Sequence, residues 1–89
     1  MILQNKYHLY ILRCKGNKLY TGIAKDVSAR FELHKSGKAA KFTQRNKPIK
    51  IVYTETLPSL SKARKRENEI NKLAKSKKEI LISGKVDGA

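Results

Sequence analysis

The sequence predicts an α+β fold in which helices flank a three-stranded antiparallel sheet, in the order ββα(α)βαα. Two observations lead to this prediction. First, two apolar runs, residues 6–14 and 19–24, are separated only by a turn signal, which is the pattern of a β-hairpin. Second, a third alternating run, residues 49–54, lies between segments whose apolar residues recur at helical spacing. We expect the third strand to join the hairpin and the helices to cover one face of the sheet.

The hairpin prediction rests on residue types. Residues 6–14 and 19–24 are rich in aromatic and branched side chains, and the intervening Lys15-Gly16-Asn17-Lys18 is a turn signal. Gly22 stands inside the second strand, where a glycine indicates a β-bulge or a close approach by another group. The hairpin therefore contains one position where the backbone needs free space beside it.

The relative placement of two tyrosines depends on the register of this hairpin. A turn centred on residues 16–17 places Tyr10 opposite Ile23 and Tyr20 opposite Arg13. A bulge in either strand would change the face that each tyrosine occupies. Tyrosines in a small hairpin are more often packing residues than catalysts, so the pattern alone favours packing for both.

The first helix is predicted over residues 27–36. Asp26 is a good N-cap, apolar residues follow at helical spacing, and Gly37 is a natural stop. Residues 39–43 are predicted to form a short helical turn, which cannot continue through Pro48.

The longest helix is predicted over residues 60–74, after Pro58 and Ser59. The sequence Ser76-Lys77-Lys78-Glu79 then fits a capping box and predicts a last short helix that ends at Ile82.

Length and charge restrict the class of the protein. The 89 residues allow one domain, predicted over 1–83 with a flexible tail over 84–89. Twenty-one Lys and Arg against seven Asp and Glu give a net charge of +14, which indicates an acidic partner such as nucleic acid.

No apolar run approaches the roughly 20 residues of a bilayer span, and the N-terminus lacks a basic-then-apolar signal pattern. We therefore expect no membrane association and a cytoplasmic location.

Glu67 is unusual because it lies on the apolar stripe of its helix, four residues after Ala63 and three before Ile70. A carboxylate in that position is costly unless something compensates it. The pattern leaves three interpretations open: an arginine partner, a divalent cation, or a position at the edge of the stripe.

Arg30 and His34 lie one helical turn apart and share a face. An arginine offers a bidentate fork and a histidine offers a donor or a base, so the pair could contact one phosphate. On spacing alone, a solvated helix edge is the favoured alternative.

Taken in order, these positions resemble the GIY-YIG nuclease superfamily, and in particular its small stand-alone bacterial members. The first motif retains only its tyrosine, and the second retains its tyrosine and glycine. The resemblance covers nearly the whole chain, and the ordered set is more specific than any one motif. Its members are His8-Leu9-Tyr10, Tyr20-Thr21-Gly22, Arg30, His34 and Glu67, within residues 6–82.

The resemblance implies metal-dependent cleavage of phosphodiester bonds, with DNA favoured over RNA and with branched, damaged or single-stranded DNA as the expected substrate. Glu67 would ligate one divalent cation, Mg²⁺ or Mn²⁺, and Arg30 would bind the scissile phosphate. Tyr10 or Tyr20 would help to deprotonate or position the attacking water. His34 would assist in proton transfer or phosphate contact, and the choice of general base among these three residues stays open.

The chain has no room for the separate DNA-binding domain that larger family members carry. Substrate selection is therefore expected from its own surface or from a protein partner. One alternative is a nucleic-acid-binding module that has a nuclease fold and little or no turnover. Another is an RNA-associated structural protein, which the ordered site residues disfavour. The predicted substrate-binding residues are Gly22, Lys38, Lys41, Thr43, Arg45 and Lys47.

Overall fold

The computed structural model describes residues 6–84 and confirms the predicted α+β class and order of elements. Residues 1–5, on which the signal-pattern argument rests, and tail residues 85–89 lie outside the described residues. Gly84, predicted to belong to the tail, is the last residue of a helix. The elements are β1 (Tyr7–Cys14), a 3₁₀ turn (Lys15–Asn17), β2 (Lys18–Ala24), α1 (Val27–Lys35), α2 (Lys41–Arg45), β3 (Pro48–Leu57), α3 (Leu60–Asn71) and α4 (Lys75–Gly84).

The sheet has the order β2-β1-β3, and both pairs of strands are antiparallel. The predicted hairpin register is wrong by one residue, because Tyr10 pairs with Gly22 and Tyr20 pairs with Leu12. The connection takes three residues, 15–17, so the turn is centred on one residue and not between two. This shift puts both tyrosines on the same face of the sheet, since side chains alternate along a strand.

The β1–β2 register is continuous through Gly22, so the predicted bulge is absent from this strand pair. Irregularities occur instead on the other side of β1, where the β1–β3 pairing shifts after Ile11 and again after Arg13. Of the two explanations offered for Gly22, the β-bulge is excluded in this strand pair, and the close approach by another group remains.

Helices cover both faces of the sheet, which corrects the expectation of one covered face. On one face, Leu9 and Ile11 pack with Ile70 of α3. On the other, Tyr10 and Leu12 form a cluster that residues of α1 cover. The physical reason is visible in β1 itself, because a strand buried on both faces is a continuous apolar run and not an alternating one.

The ends of the last two helices differ from prediction. Ser59 caps α3 by accepting a hydrogen bond from the Lys62 amide, as expected, but the helix ends at residue 71. The predicted capping box is wrong, because α4 begins at Lys75 and so includes Ser76, and the carboxylate of Glu79 accepts hydrogen bonds from the side chains of Arg13 and Lys75. Glu79 therefore joins α4 to the sheet. Within residues 6–84, no helix is long and apolar enough to cross a bilayer.

Candidate active site

A buried hydrogen bond connects the central strand to α1. The phenolic oxygen of Tyr10 lies 2.8 Å from Nε2 of His34, and the two residues are 2% and 1% exposed. Strand β1 holds Tyr10 between its two neighbours, and α1 lays His34 over the same face of the sheet. The pair is therefore held between the central strand and the helix that covers this face.

Thr43 determines which nitrogen of His34 carries the proton. The hydroxyl of Thr43 donates to the Ala40 carbonyl oxygen at 3.1 Å, which uses its one hydrogen. Its oxygen therefore accepts the hydrogen bond from Nδ1 of His34, at 2.8 Å. Neutral His34 thus has its proton on Nδ1 and a lone pair on Nε2, and Tyr10 donates its phenolic hydrogen to that lone pair.

The environment keeps this chain of hydrogen bonds neutral. Burial, followed by the charge of Arg30, lowers the pKa of His34, so the imidazole is uncharged at neutral pH. Burial is also the main reason that the pKa of Tyr10 is raised, and nearby Tyr20 and Glu67 add to the shift while Arg30 opposes it. Tyr10 is therefore a neutral donor facing a neutral acceptor, and Arg30 is the charge that favours its ionised form.

Gly22 provides the space that Tyr10 occupies. A Cβ atom built on Gly22 would lie 2.6 Å from the phenolic oxygen and 2.7 Å from Cζ of Tyr10. The close approach predicted from the sequence is thus confirmed, and the approaching group is the Tyr10 side chain. The expected contact between Gly22 and substrate stays a prediction.

Tyr20 is the centre of an aromatic cluster. Its ring centroid lies 4.9 Å from that of His34, 6.4 Å from that of Tyr10 and 5.8 Å from that of Phe42. Burial and the charge of Glu67 raise its pKa, and Arg30 lowers it. Tyr20 is half-buried, so it is the more accessible of the two site tyrosines.

Phe42 was not among the residues predicted for the site. It lies in α2 between the basic residues Lys41 and Arg45, and its ring stacks on Tyr20 with an interplanar angle of 30°. The signal that could have identified it is an aromatic residue inside a basic segment, which is a common pattern of nucleic-acid-binding surfaces.

Arg30 is exposed on α1, and His34 is enclosed beneath it. The predicted sharing of one phosphate by these residues does not match this arrangement, since both ring nitrogens of His34 are occupied. Arg30 instead lines a surface cleft together with Lys25 and Arg64. Three cations around one cleft make it a suitable place for a phosphate group.

Glu67 is partly exposed on α3, on the stripe that contains buried Ala63 and Ile70. In the part of the chain that the structure describes, its carboxylate has no hydrogen bond or ion pair. The neighbouring Arg66 binds Glu55 and Glu69 instead, so the first of the three interpretations, an arginine partner, does not hold there. The carboxylate nevertheless acts electrostatically on both site tyrosines.

Glu67 fits a divalent cation of one particular kind. No group of three or more His, Cys, Asp or Glu residues that could hold a metal ion occurs within residues 6–84. Mg²⁺ does not need such a group, because it keeps several waters and binds through one or two carboxylates plus substrate phosphate. Glu67, whose carboxylate has no hydrogen bond or ion pair within residues 6–84, lies on the same helix as Arg64 of the cationic cleft and matches that requirement.

The predicted substrate-binding residues fall into two groups. Thr43 is 1% exposed, and its hydroxyl is hydrogen-bonded to Ala40 and His34. It is therefore buried beneath the site and does not lie on the surface. The others around α2 are exposed side chains that form a basic surface: Lys38, Lys41, Arg45 and Lys47.

Comparison with known proteins gives consistent matches. A family model described as the GIY-YIG catalytic domain matches residues 6–79. A UPF0213 protein of Staphylococcus saprophyticus is 43% identical over 79 residues, which cover 89% of this chain and 96% of the relative. A UPF0213 protein of Staphylococcus epidermidis is 45% identical over 78 residues, which cover 88% and 95%. The solution NMR structure of a UPF0213 protein from Bacillus halodurans is 41% identical, covers 88% of this chain and 83% of that one, and has a TM-score of 0.57.

Proposed function

This chain belongs to the GIY-YIG nuclease family, and from that membership we propose that it is a metal-dependent endonuclease that hydrolyses phosphodiester bonds in DNA. The observation that carries the proposal is electrostatic. The charges of Arg30 and Glu67, which lie on different helices, both act on Tyr10 and Tyr20. The two tyrosines, the guanidinium and the carboxylate thus interact electrostatically, and the proposal assigns them to one site.

Arg30 is the residue that binds the scissile phosphate in this proposal. Its side chain is exposed and shares a cleft with Lys25 and Arg64. Hydrolysis increases the negative charge on the transferring phosphoryl group, so a guanidinium stabilises the transition state more than the ground state. The same charge opposes the rise that burial causes in the pKa of both site tyrosines, and so favours their use as bases.

Tyr20 is the tyrosine that we assign to the attacking water. It is half-buried and Tyr10 is 2% exposed, so Tyr20 has the better access to a solvent molecule. Tyr10, His34 and Thr43 form the hydrogen-bonded support behind it, and neutral Nε2 of His34 can take the Tyr10 proton. When bound at Glu67, a divalent cation supplies positive charge that favours tyrosinate and stabilises the phosphate oxygens.

A second candidate function has its own observation. The Tyr10 hydroxyl is buried and its hydrogen is donated to His34. A site whose tyrosine and histidine are both enclosed is also consistent with a nucleic-acid-binding module that turns over slowly or not at all. The net charge of +14 supports binding in either case.

The test is cleavage of supercoiled plasmid and of a labelled branched DNA, with Mg²⁺, with Mn²⁺ and with chelator. Wild type is compared with Glu67→Gln and with Glu69→Gln, which removes an exposed carboxylate of the same helix that binds Arg66. We expect metal-dependent nicking that Glu67→Gln reduces by about 10²-fold or more and that Glu69→Gln retains. Equal cleavage by all three proteins would indicate a contaminant. No cleavage, with binding that weakens steeply as salt rises, would favour the binding module.

A further inference from the structure

A pocket of about 450 Å³ lies beside the aromatic cluster of the candidate site. This volume is within the range of roughly 300–1,000 Å³ that small-molecule sites occupy. We call it the Phe42 pocket. Its lining includes three lysines and one aromatic ring, and it comprises Gly16, Asn17, Lys18, Leu19, Phe42, Lys75 and Lys78.

Phe42 connects this pocket to the candidate site. Its ring stacks on Tyr20 at 5.8 Å, yet the residue is 37% exposed. Tyr20 in turn lies within the electrostatic reach of Arg30 and Glu67. A flat group that packs on the exposed part of Phe42 therefore lies one aromatic ring away from the residue assigned to the attacking water.

The charge of the pocket selects the kind of group that it accepts. Its lining contains three lysines and no acidic residue. Lys18 donates to the neutral amide oxygen of Asn46 at 3.1 Å and so keeps its full charge, and only Lys75 is paired with a carboxylate, that of Glu79. An exposed aromatic ring surrounded by ammonium groups is complementary to a nucleobase and to the phosphates on either side of that base.

We propose that the Phe42 pocket binds an unpaired nucleobase of the DNA strand that is cut, next to the scissile phosphodiester. The position of this base beside the cleaved bond rests on the proposed endonuclease function, and the pocket then defines the class of substrate. That class is DNA with an unstacked base at the cleavage position, such as a single strand, a flap or a branch. In continuous duplex both faces of each base are already stacked, so a base reaches Phe42 only after unstacking, which costs free energy.

The test measures binding in chelator, so that no cleavage is required. A fluorescently labelled single-stranded oligonucleotide and a blunt duplex of the same sequence are titrated by anisotropy at one salt concentration. The variants are Phe42→Leu, which keeps an apolar side chain without an aromatic face, and Phe42→Trp, which keeps the face. Ile49→Ala is the matched control, because it removes an exposed apolar side chain of β3 that is not part of the pocket.

We expect Phe42→Leu to weaken single-strand binding by about 5- to 150-fold, the range that one base–aromatic contact supplies. Duplex binding should change by less than about twofold, and Phe42→Trp and Ile49→Ala should bind single strands as wild type does. If Phe42→Leu is poorly folded, an abasic scan of the single strand with wild type replaces it, and one position should show a similar loss.

Equal effects of Phe42→Leu on single strand and duplex, or no effect of any abasic position, would overturn the inference. The outcome is separable from that of the proposed function. If wild type shows no metal-dependent cleavage but still binds single strands through Phe42, the nuclease proposal is wrong and the base-binding pocket is supported. If wild type cleaves duplex and single strand at equal rates, only the pocket proposal is wrong.

Discussion

The phenolic oxygen of Tyr10 lies 2.6 Å from the point where a Cβ atom on Gly22 would stand. Strand pairing sets this relationship, because Tyr10 and Gly22 are direct partners in the β1–β2 register. The absence of a side chain at Gly22 is therefore a condition for the position of the Tyr10 ring, and hence for its hydrogen bond to His34.

The first prediction follows from this contact. Gly22→Ala should displace the Tyr10 ring, lower the free energy of unfolding by about 1–3 kcal/mol as overpacked sites do, and strongly reduce cleavage. Urea unfolding and the plasmid assay measure the two effects. Gly84→Ala is the control, since nothing lies within 4 Å of its Cβ position. A Gly22→Ala protein as stable and active as wild type would contradict the account of this contact.

The second prediction concerns Thr43 as a positioning residue. Thr43→Val keeps the shape but leaves the Nδ1 proton of His34 unpaired in a buried site, which should cost about 1–3 kcal/mol of stability. It also removes the group that fixes the tautomer, so ¹⁵N NMR should show neutral His34 as a mixture of the Nδ1–H and Nε2–H tautomers. Thr43→Ser retains the hydroxyl and should restore the single tautomer and the cleavage rate. An unchanged tautomer in Thr43→Val would show that another group fixes it.

The third prediction concerns the electrostatic effect of Arg30. Its charge contributes to the lowered pKa of His34, so Arg30→Gln should raise that pKa towards its ordinary value, although burial keeps it below. An NMR titration of the His34 ring protons measures the shift. Arg64→Gln, which removes a cation from the same cleft, is the control and should leave the His34 titration nearly unchanged. Equal shifts in both variants would indicate a general charge effect.

The fourth prediction uses the contact between β1 and α4. Hydrogen bonds from Arg13, and then from Lys75, hold the pKa of Glu79 at about 2. Because this folded-state pKa lies below the usual value of 4.5, the stabilisation is present above pH 4.5 and is lost as pH falls towards 2. Glu79→Gln should therefore be less stable than wild type at pH 7, by on the order of 1 kcal/mol after allowance for solvent screening.

Urea unfolding at pH 7 and near pH 2 checks that prediction. The difference between wild type and Glu79→Gln should shrink as Glu79 becomes protonated. Glu32→Gln serves as the control, because its carboxylate is 69% exposed and pairs only with Lys35 three residues away. A stability difference that stays constant down to pH 2 would show that packing, and not charge, joins α4 to the sheet.

Much of the fold could be predicted from local patterns. The class and the element order follow from turn residues, alternation and helical spacing, all of which act over a few neighbouring residues. The register error came from a one-residue difference in the length of the turn at 15–17, which composition does not reveal. The sequence predicts the second covered face only where the apolar run of β1 is interpreted as burial on both sides, and not simply as a strand signal.

The site was predicted in part for a similar reason. The resemblance supplied the residue set, and the structure brings Tyr10, Tyr20 and His34 into contact. The role of Thr43 could not be derived, because its hydrogen bond to His34 joins residues nine positions apart in two helices. The capping box at Glu79 matched a local rule, but the carboxylate has an alternative partner, Arg13, that is distant in sequence.

Strand β1 has a hydrogen-bonded neighbour on each side and supplies alternate side chains to two separate cores. Neither core can open without disturbing the strand that serves the other. We therefore expect the amide protons of β1 to exchange with solvent only through global unfolding. Tyr10 is attached to this most protected segment, while Arg30 and Glu67 lie on helices. In the proposed complex with branched DNA, we therefore expect Arg30 and Glu67 to move with their helices while the Tyr10 phenol keeps its position.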